Sequence, residues 1–160
     1  EMPLVVRYPA EIQAGQVSDD LVMNLDFAPT FLDYAGVDIP REMQGVSLRS
    51  LMAGSEPAHW RDAVYYHYYE YPHGWHNVKQ HYGVRTDRYK LIHFYNDIDV
   101  WELYDLQTDP HELHNVYGQP DYADIQENLH AKLKELQQQY RDTNPESDEL
   151  PPSAPAASGE

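Results

Sequence analysis

The 160-residue chain has no cysteine, so disulfides, thiolate metal sites and a cysteine nucleophile are excluded within it. The same absence leaves the redox compartment open, because oxidising and reducing compartments both hold cysteine-free domains. Basic residues are scarce too: 11 Lys plus Arg face 27 Asp plus Glu, for a formal net charge of −16. So acidic a chain is a poor partner for nucleic acid or an anionic membrane, whose phosphates it would repel. No apolar run approaches the roughly 20 residues of a membrane-crossing helix. Phenylalanine is nearly missing, at three residues against 14 Tyr and three Trp. Rings with wet polar tips suit stacking on sugars and other polyhydroxylated ligands. A tyrosine-rich sheet would leave the same composition, and both readings stand at this point.

Along the chain, Leu4, Val5 and Val6 form a short apolar run stopped by Pro9, which predicts a buried strand. It begins almost at the first residue, as a strand inside a larger fold would. Asp26 is placed to cap a helix over 27–34, with Pro29 in its first turn and Gly36 as its stop. Ser47 can cap a short helix through Met52, ended by Gly54. Residues 63–71 are β-rich. Two strands at 82–86 and 89–95 flank Asp87 and Arg88 as a hairpin, and 101–106 makes a further strand. Tyr122, Ile125, Leu129, Leu133, Leu136 and Tyr140 recur at steps of three and four, the apolar stripe of a helix of about five turns. The expected fold of this piece is α+β: a small antiparallel four-stranded sheet packed on a C-terminal helix. Beyond Asp142, Pro, Ser, Ala and acids predict a disordered tail over 144–160.

Nine histidines invite a metal reading, and His67, His73, His76, His81 and His93 cluster in the middle. A zinc site needs three or four ligands at defined spacing. No His-Glu-x-x-His helix is present, and no serine sits in a Gly-x-Ser-x-Gly turn. The segment from His76 to Arg85 instead puts hydrogen-bond donors on one loop entering a strand. Donors and local cations in an acidic chain suit an anionic or polyhydroxylated ligand. The alternative is that Arg85 and Lys90 pair with Asp87, Asp97 or Asp99.

Several segments resemble a known family. Residues 2–9, Met-Pro-Leu-Val-Val-Arg-Tyr-Pro, are similar to a strand of the formylglycine-dependent sulfatases, members of the alkaline phosphatase-like superfamily. Asp26-Phe27-Ala28-Pro29-Thr30-Phe31-Leu32-Asp33 resembles their D-x-x-P-T-x-L-D helix, followed by Ala35-Gly36 and Gln44-Gly45-Val46-Ser47-Leu48. Tyr82-Gly83-Val84-Arg85-Thr86 with Tyr89-Lys90-Leu91-Ile92 resembles their C-terminal hairpin. Glu102-Leu103-Tyr104-Asp105-Leu106 through Asp109-Pro110, Glu112 and Asn115 resembles their closing strand and turn. The likeness runs to about Asp142. It is nearest to the N-acetylglucosamine-6-sulfatases and mucin-desulfating sulfatases.

The resemblance implies an overall α/β fold, in which 1–60 ends an alkaline phosphatase-like catalytic domain and 61–143 is the C-terminal subdomain. It implies calcium and a formylglycine in the intact parent, made from a Cys/Ser-x-Pro-x-Arg motif. Here Ser55 and Ser153 begin Ser-x-Pro without the arginine, so no catalytic residue and no metal ligand is expected in this piece. The reactive residues would lie in an N-terminal catalytic region preceding it. What remains is substrate contact: His81 first, then His76 and Arg85, against a sulfated glycan or amino sugar, with Trp75 able to stack on a ring. Family members are typically periplasmic or secreted. The competing reading is a non-catalytic carbohydrate-binding or structural module.

Overall fold

The computed structural model describes residues 3–55, 57, 59–71, 77–96, 98–143 and 145–146. The chain divides into two compact units, Glu1–Arg61 and Asp62–Glu160.

In the first unit, a 3-10 turn at Asn24–Asp26 runs into helix α1, Phe27–Tyr34, and a short helix α2 follows at Arg49–Met52. Pro29 sits in the first turn of α1, where the amide it lacks would have no partner. Gly36 ends the helix at φ 67°, with the Val37 amide bonded to the Leu32 carbonyl at 2.9 Å and the Gly36 amide to that of Asp33 at 3.0 Å. These are the two bonds of a Schellman stop, and the left-handed residue there favours glycine. Ser47 Oγ accepts from the Arg49 amide at 3.2 Å, in the turn that leads into α2, one residue ahead of the cap position, which Leu48 occupies without a side-chain bond.

Two expectations for this unit fail. Leu4, Val5, Val6 and Tyr8 are in no strand, and all four side chains are exposed, Val5 by 88%. A strand exists only where a neighbour completes its ladder, and no described residue pairs with this run. Asp26 does not cap α1 through its side chain. It is instead wholly buried and ties the unit together. Its carboxylate accepts from the Met23 amide at 2.7 Å, the Val46 amide at 2.9 Å and the Arg61 guanidinium, whose Nη2 lies 2.7 Å away. Thr30 continues the link, donating to the Asp26 carbonyl and accepting from the Leu48 amide at 2.9 Å.

The second unit is one antiparallel sheet in the order β1-β2-β3-β4, with β1 at Ala63–Tyr68, β2 at His81–Thr86, β3 at Tyr89–Phe94 and β4 at Val100–Asp105. Helix α3, Ala123–Gln139, follows. The β2–β3 hairpin closes through Thr86 Oγ1, which accepts from the Tyr89 amide at 2.9 Å. Arg88 then reaches Asp105 with two bonds of 2.9 and 2.8 Å, fastening the hairpin to the end of β4. A paired row crosses all four strands, Tyr65, Val84, Leu91 and Leu103, and the stripe Leu129, Leu133 and Leu136 of α3 covers it. Each leucine so buried contributes about 1.5–3 kcal/mol relative to exposure.

The Asp26 network makes a prediction about acid. Burial pushes the Asp26 carboxyl up, but Arg61 and the Val46 and Met23 amides together hold it below the ordinary carboxylate value. A carboxyl whose folded pKa is depressed stabilises the fold above its unfolded value, about 3.9, and that contribution disappears as pH falls through the folded value. Arg61→Ala would strand the buried carboxylate at an expected cost of about 3–5 kcal/mol. Urea unfolding at pH 7 should show that loss, and a smaller difference from wild type below pH 3. A variant as stable as wild type at pH 7 would refute the account.

Candidate functional site

Alternation along a strand sorts the sheet's side chains onto two faces. On β2, Tyr82 and Val84 face the α3 leucines, so His81, Gly83 and Arg85 face the other way. The far face therefore carries Tyr66 and Tyr68 from β1, His81 and Arg85 from β2, Lys90, Ile92 and Phe94 from β3, and Glu102 and Tyr104 from β4.

His81 is half-buried among aromatic rings, stacked on Tyr68 with centroids 5.4 Å apart and tilted against Phe94 at 5.0 Å. Its Nδ1 lies 2.7 Å from the Lys79 carbonyl. A carbonyl only accepts, so Nδ1 carries a proton and the neutral ring presents Nε2 as an acceptor. Nε2 has no hydrogen-bond partner among the described residues. Neutral His81 can thus accept a hydrogen bond from a hydroxyl; only the cation can donate through Nε2 to an anion.

Gly83 lies between His81 and Arg85, and its bareness is structural. A Cβ there would stand 2.4 Å from the Leu91 carbonyl oxygen and 2.5 Å from the Tyr66 hydroxyl. Tyr66 lies over the glycine with its hydroxyl buried and without a hydrogen-bond partner. Burial, then the carboxylates of Glu112 and Glu102, push this phenol well above its usual pKa, so it stays protonated. Arg85 stands near the same phenol. At a rise of about 3.2–3.4 Å per residue, the Cα atoms of Arg85 and His81 are roughly 13 Å apart along β2. Lys90 is committed to Glu112 at 2.6 Å, the paired fate expected of it, though with another carboxylate.

The helix-side face holds polar groups as well, in arrangements that invite a catalytic reading. Asp142 accepts from His67 Nδ1 and from Tyr65 Oη, both at 2.6 Å, while His67 Nε2 lies 2.9 Å from Tyr95 Oη. An Asp–His–hydroxyl chain has the connectivity of a nucleophile relay. Tyr95 is 1% exposed, however, so no substrate reaches it. Burial lowers the His67 pKa, outweighing the hydrogen bond and charge of Asp142 that raise it. A second chain runs from Asp99 to His93 Nε2 at 2.9 Å, with His93 Nδ1 against Tyr82 Oη at 2.8 Å. These groups cross-brace the fold.

Of the residues expected to meet substrate, His81 and Arg85 share the far face, whereas His76 lies outside the described residues, as do His73 and Trp75. Among the described residues no group of three or more His, Asp or Glu is placed to hold a metal ion. Of the clustered histidines, His67 and His93 brace the fold. Reading the sequence missed Tyr66, although Gly83 at the centre of a strand signals a close approach by another group.

Residues 1–139 match the family described as N-sulphoglucosamine sulphohydrolase, C-terminal. The chain belongs to this family. It is 54% identical over 150 residues, 92% of its length, to an N-acetylglucosamine-6-O-sulfatase of Bacteroides thetaiotaomicron, of which it covers 27%. It superposes with a TM-score of 0.88 and 53% identity on a structure described as BT4656 in complex with its substrate D-glucosamine-2-N,6-O-disulfate, covering 93% of this chain and 30% of that one. A phosphonate monoester hydrolase of Agrobacterium radiobacter is similar at a TM-score of 0.58 and 30% identity, over 72% of this chain and 24% of that one. The chain thus spans less than a third of the length of these relatives. The small antiparallel sheet with its C-terminal helix, expected from the residue pattern, is the fold that sulfatase structures share here.

Two substitutions test the far face. Tyr66→Phe removes a buried hydroxyl that has no partner and should stabilise the protein by up to about 1 kcal/mol. Gly83→Ala drives a methyl group into backbone and ring and should cost about 2 kcal/mol or more. Chemical denaturation measures both. A Tyr66→Phe loss above about 1 kcal/mol would show that the hydroxyl is partnered after all.

Proposed function

We propose that this chain is the C-terminal part of a sulfatase that hydrolyses sulfate esters of amino sugars in glycans, and that it contributes substrate recognition. The observation that carries the reading is the 54% identity, over nearly the whole chain, to a protein named as an N-acetylglucosamine-6-O-sulfatase. In this reading residues 1–60 belong to the catalytic domain, 61–143 form the C-terminal subdomain and 144–160 an acidic tail. The exposed Val5, Val17 and Phe31 support a first unit that packs against further protein.

The recognising residues are His81 and Arg85, with His76 assigned from its place in the sequence. His81 Nε2 accepts from a sugar hydroxyl while neutral, and when protonated donates toward the sulfate. Arg85 brings the planar cation that suits an anionic oxygen pair. Their separation means that they touch different parts of the substrate. Calcium and formylglycine belong to the reading, but nothing in this chain fits them. It has no cysteine and no Cys/Ser-x-Pro-x-Arg motif, and its described residues offer no ligand set. Both would be supplied by the rest of the protein. A relative from Drosophila melanogaster is named an extracellular sulfatase, which supports an exported protein.

The purified 160-residue chain should not turn over an aryl sulfate or 6-sulfated N-acetylglucosamine, and turnover would overturn this division of labour. In the intact protein, His81→Ala should lower kcat/KM on 6-sulfated N-acetylglucosamine at least tenfold more than on a small aryl sulfate. Equal losses on the two substrates would remove His81 from sugar recognition. Preference for a phosphonate monoester over every sulfate ester offered would reject the sulfatase reading itself.

A further inference from the structure

A second concave surface lies on the other side of the sheet from His81. Between α3 and the ends of β2 and β4 is a cleft of about 420 Å³, lined among others by Tyr82, Trp101, His130, Lys134, Gln138 and Thr143. Small-molecule sites fall at roughly 300–1,000 Å³ and combine an apolar, aromatic lining with a few convergent polar groups. This cleft has both parts.

Its aromatic side is rigid. Trp101 stacks on His93, its cross-strand partner, at 4.1 Å and 5°, and on Tyr117 at 5.9 Å and 14°, while His130 meets it edge-on at 4.4 Å. Held from several sides, the indole loses no further freedom when a ligand arrives. Its N–H has no partner among the described residues and is not among the buried unpartnered atoms, so it faces solvent. The polar side comes from one helix turn and the segment after α3. Lys134 makes no ion pair among the described residues, in contrast to Lys132, which binds Asp62 and Glu135 at 3.3 Å each. Gln138 brings an amide that donates and accepts, and Thr143 a hydroxyl. His130 already engages the Tyr117 hydroxyl through Nε2 at 3.1 Å.

The segment carrying Thr143 is fixed as well. Helix α3 ends in a left-handed residue, Arg141 at φ 60°, with the Asp142 amide bonded to the Gln137 carbonyl at 2.9 Å. That turn aims Asp142 at Tyr65 and His67, and Glu146 beyond it accepts from Tyr82 at 3.0 Å. Carboxylates thus stand close behind the cleft, and among the described residues Lys134 is the cation lining it, without an ion pair. A densely charged anion is poorly matched here. An uncharged, hydroxyl-rich ring is well matched: its hydroxyls meet an indole N–H, an amide, a hydroxyl and an ammonium, and its C–H surface meets aromatic edges.

We propose that this cleft is a binding subsite for an uncharged pyranose residue of a glycan, separate from the face that carries His81 and Arg85. Saturation-transfer NMR on the intact protein with the uncharged trimer of N-acetylglucosamine tests it. Saturable binding is expected with Kd in the range of about 0.1–10 mM. The double variant Lys134→Ala, Gln138→Ala should weaken it at least fivefold, and Lys132→Ala, on another face of α3, should stay within twofold. Circular dichroism confirms that each variant folds. Absence of saturable transfer, or undiminished binding by the double variant, overturns the proposal. Binding lost in His81→Ala but kept in the double variant would assign the sugar to the opposite face and overturn it too. A sulfated heparin tetrasaccharide that outcompetes the trimer, and does so less as salt rises, would reject the uncharged ligand class. None of these outcomes depends on sulfatase turnover, so the two readings fail separately.

Discussion

The leucine stripe of α3 on the sheet is the constraint from which the rest of the second unit follows. A strand's side chains alternate, so burying Tyr65, Val84, Leu91 and Leu103 under Leu129, Leu133 and Leu136 fixes every other position as well. His81, Gly83 and Arg85 are then committed to the opposite face, and a register slip of one residue would exchange the two sets. The bidentate Arg88–Asp105 pair and the Thr86 bond across the hairpin hold that register where it is most easily lost. One face stabilises and the other is left to meet what surrounds the unit. Both jobs fit on six-residue strands only because the alternation is strict.

The helix-side face is not uniformly apolar. Toward one end, the row His67, Tyr82, His93 and Trp101 crosses all four strands in register. Buried imidazoles are costly unless both ring nitrogens are satisfied, and here they are. Asp142 and Tyr95 serve His67, while Asp99 and Tyr82 serve His93. Asp142 can do this because α3 stops in a left-handed residue, Arg141, at a site where glycine is usual. The strain of that conformation, of order 1–3 kcal/mol, is offset by three hydrogen bonds into a buried carboxylate. The aromatic excess of the chain is therefore largely explained by cross-bracing of the sheet. Tyrosine supplies ring and hydroxyl together, and phenylalanine would leave Asp142 and Glu146 without donors and His67 and His93 without a hydroxyl partner.

The parts of the fold legible in the sequence are those whose cause is local. Periodicity of 3.6 gave away α3, and alternation with a two-residue turn gave away the hairpin. Leu4, Val5 and Val6 read equally well as a strand, but a strand is a pairwise object, and no composition of one segment states whether its neighbour is present. Asp26 has the local signature of a helix cap because it precedes a helix. Its actual partners, Val46 and Arg61, are 20 and 35 residues away, beyond the reach of any local pattern. The same holds for Asp142, 75 residues from His67. For the candidate site, the sequence pattern left His81 on a loop and Arg85 in the strand after it; the fold extends β2 to His81, sets both on one face and brings Tyr66 over Gly83.

His81 and Arg85 lie on one face of one strand, yet roughly 13 Å apart by the rise of a β-strand. Between them the surface is not open: Tyr66 fills the room that Gly83 leaves, with a protonated hydroxyl and flanking carboxylates. An anion placed midway would face Glu102 and Glu112 without Lys90, which Glu112 already holds. The wall is therefore segmented. One end is an aromatic box around an imidazole whose neutral tautomer accepts, and the other is a guanidinium beside a phenol. A ligand that used both ends would have to present a hydroxyl to the first and a charge to the second, which is a demand on the shape of a sugar and not on the sulfate alone.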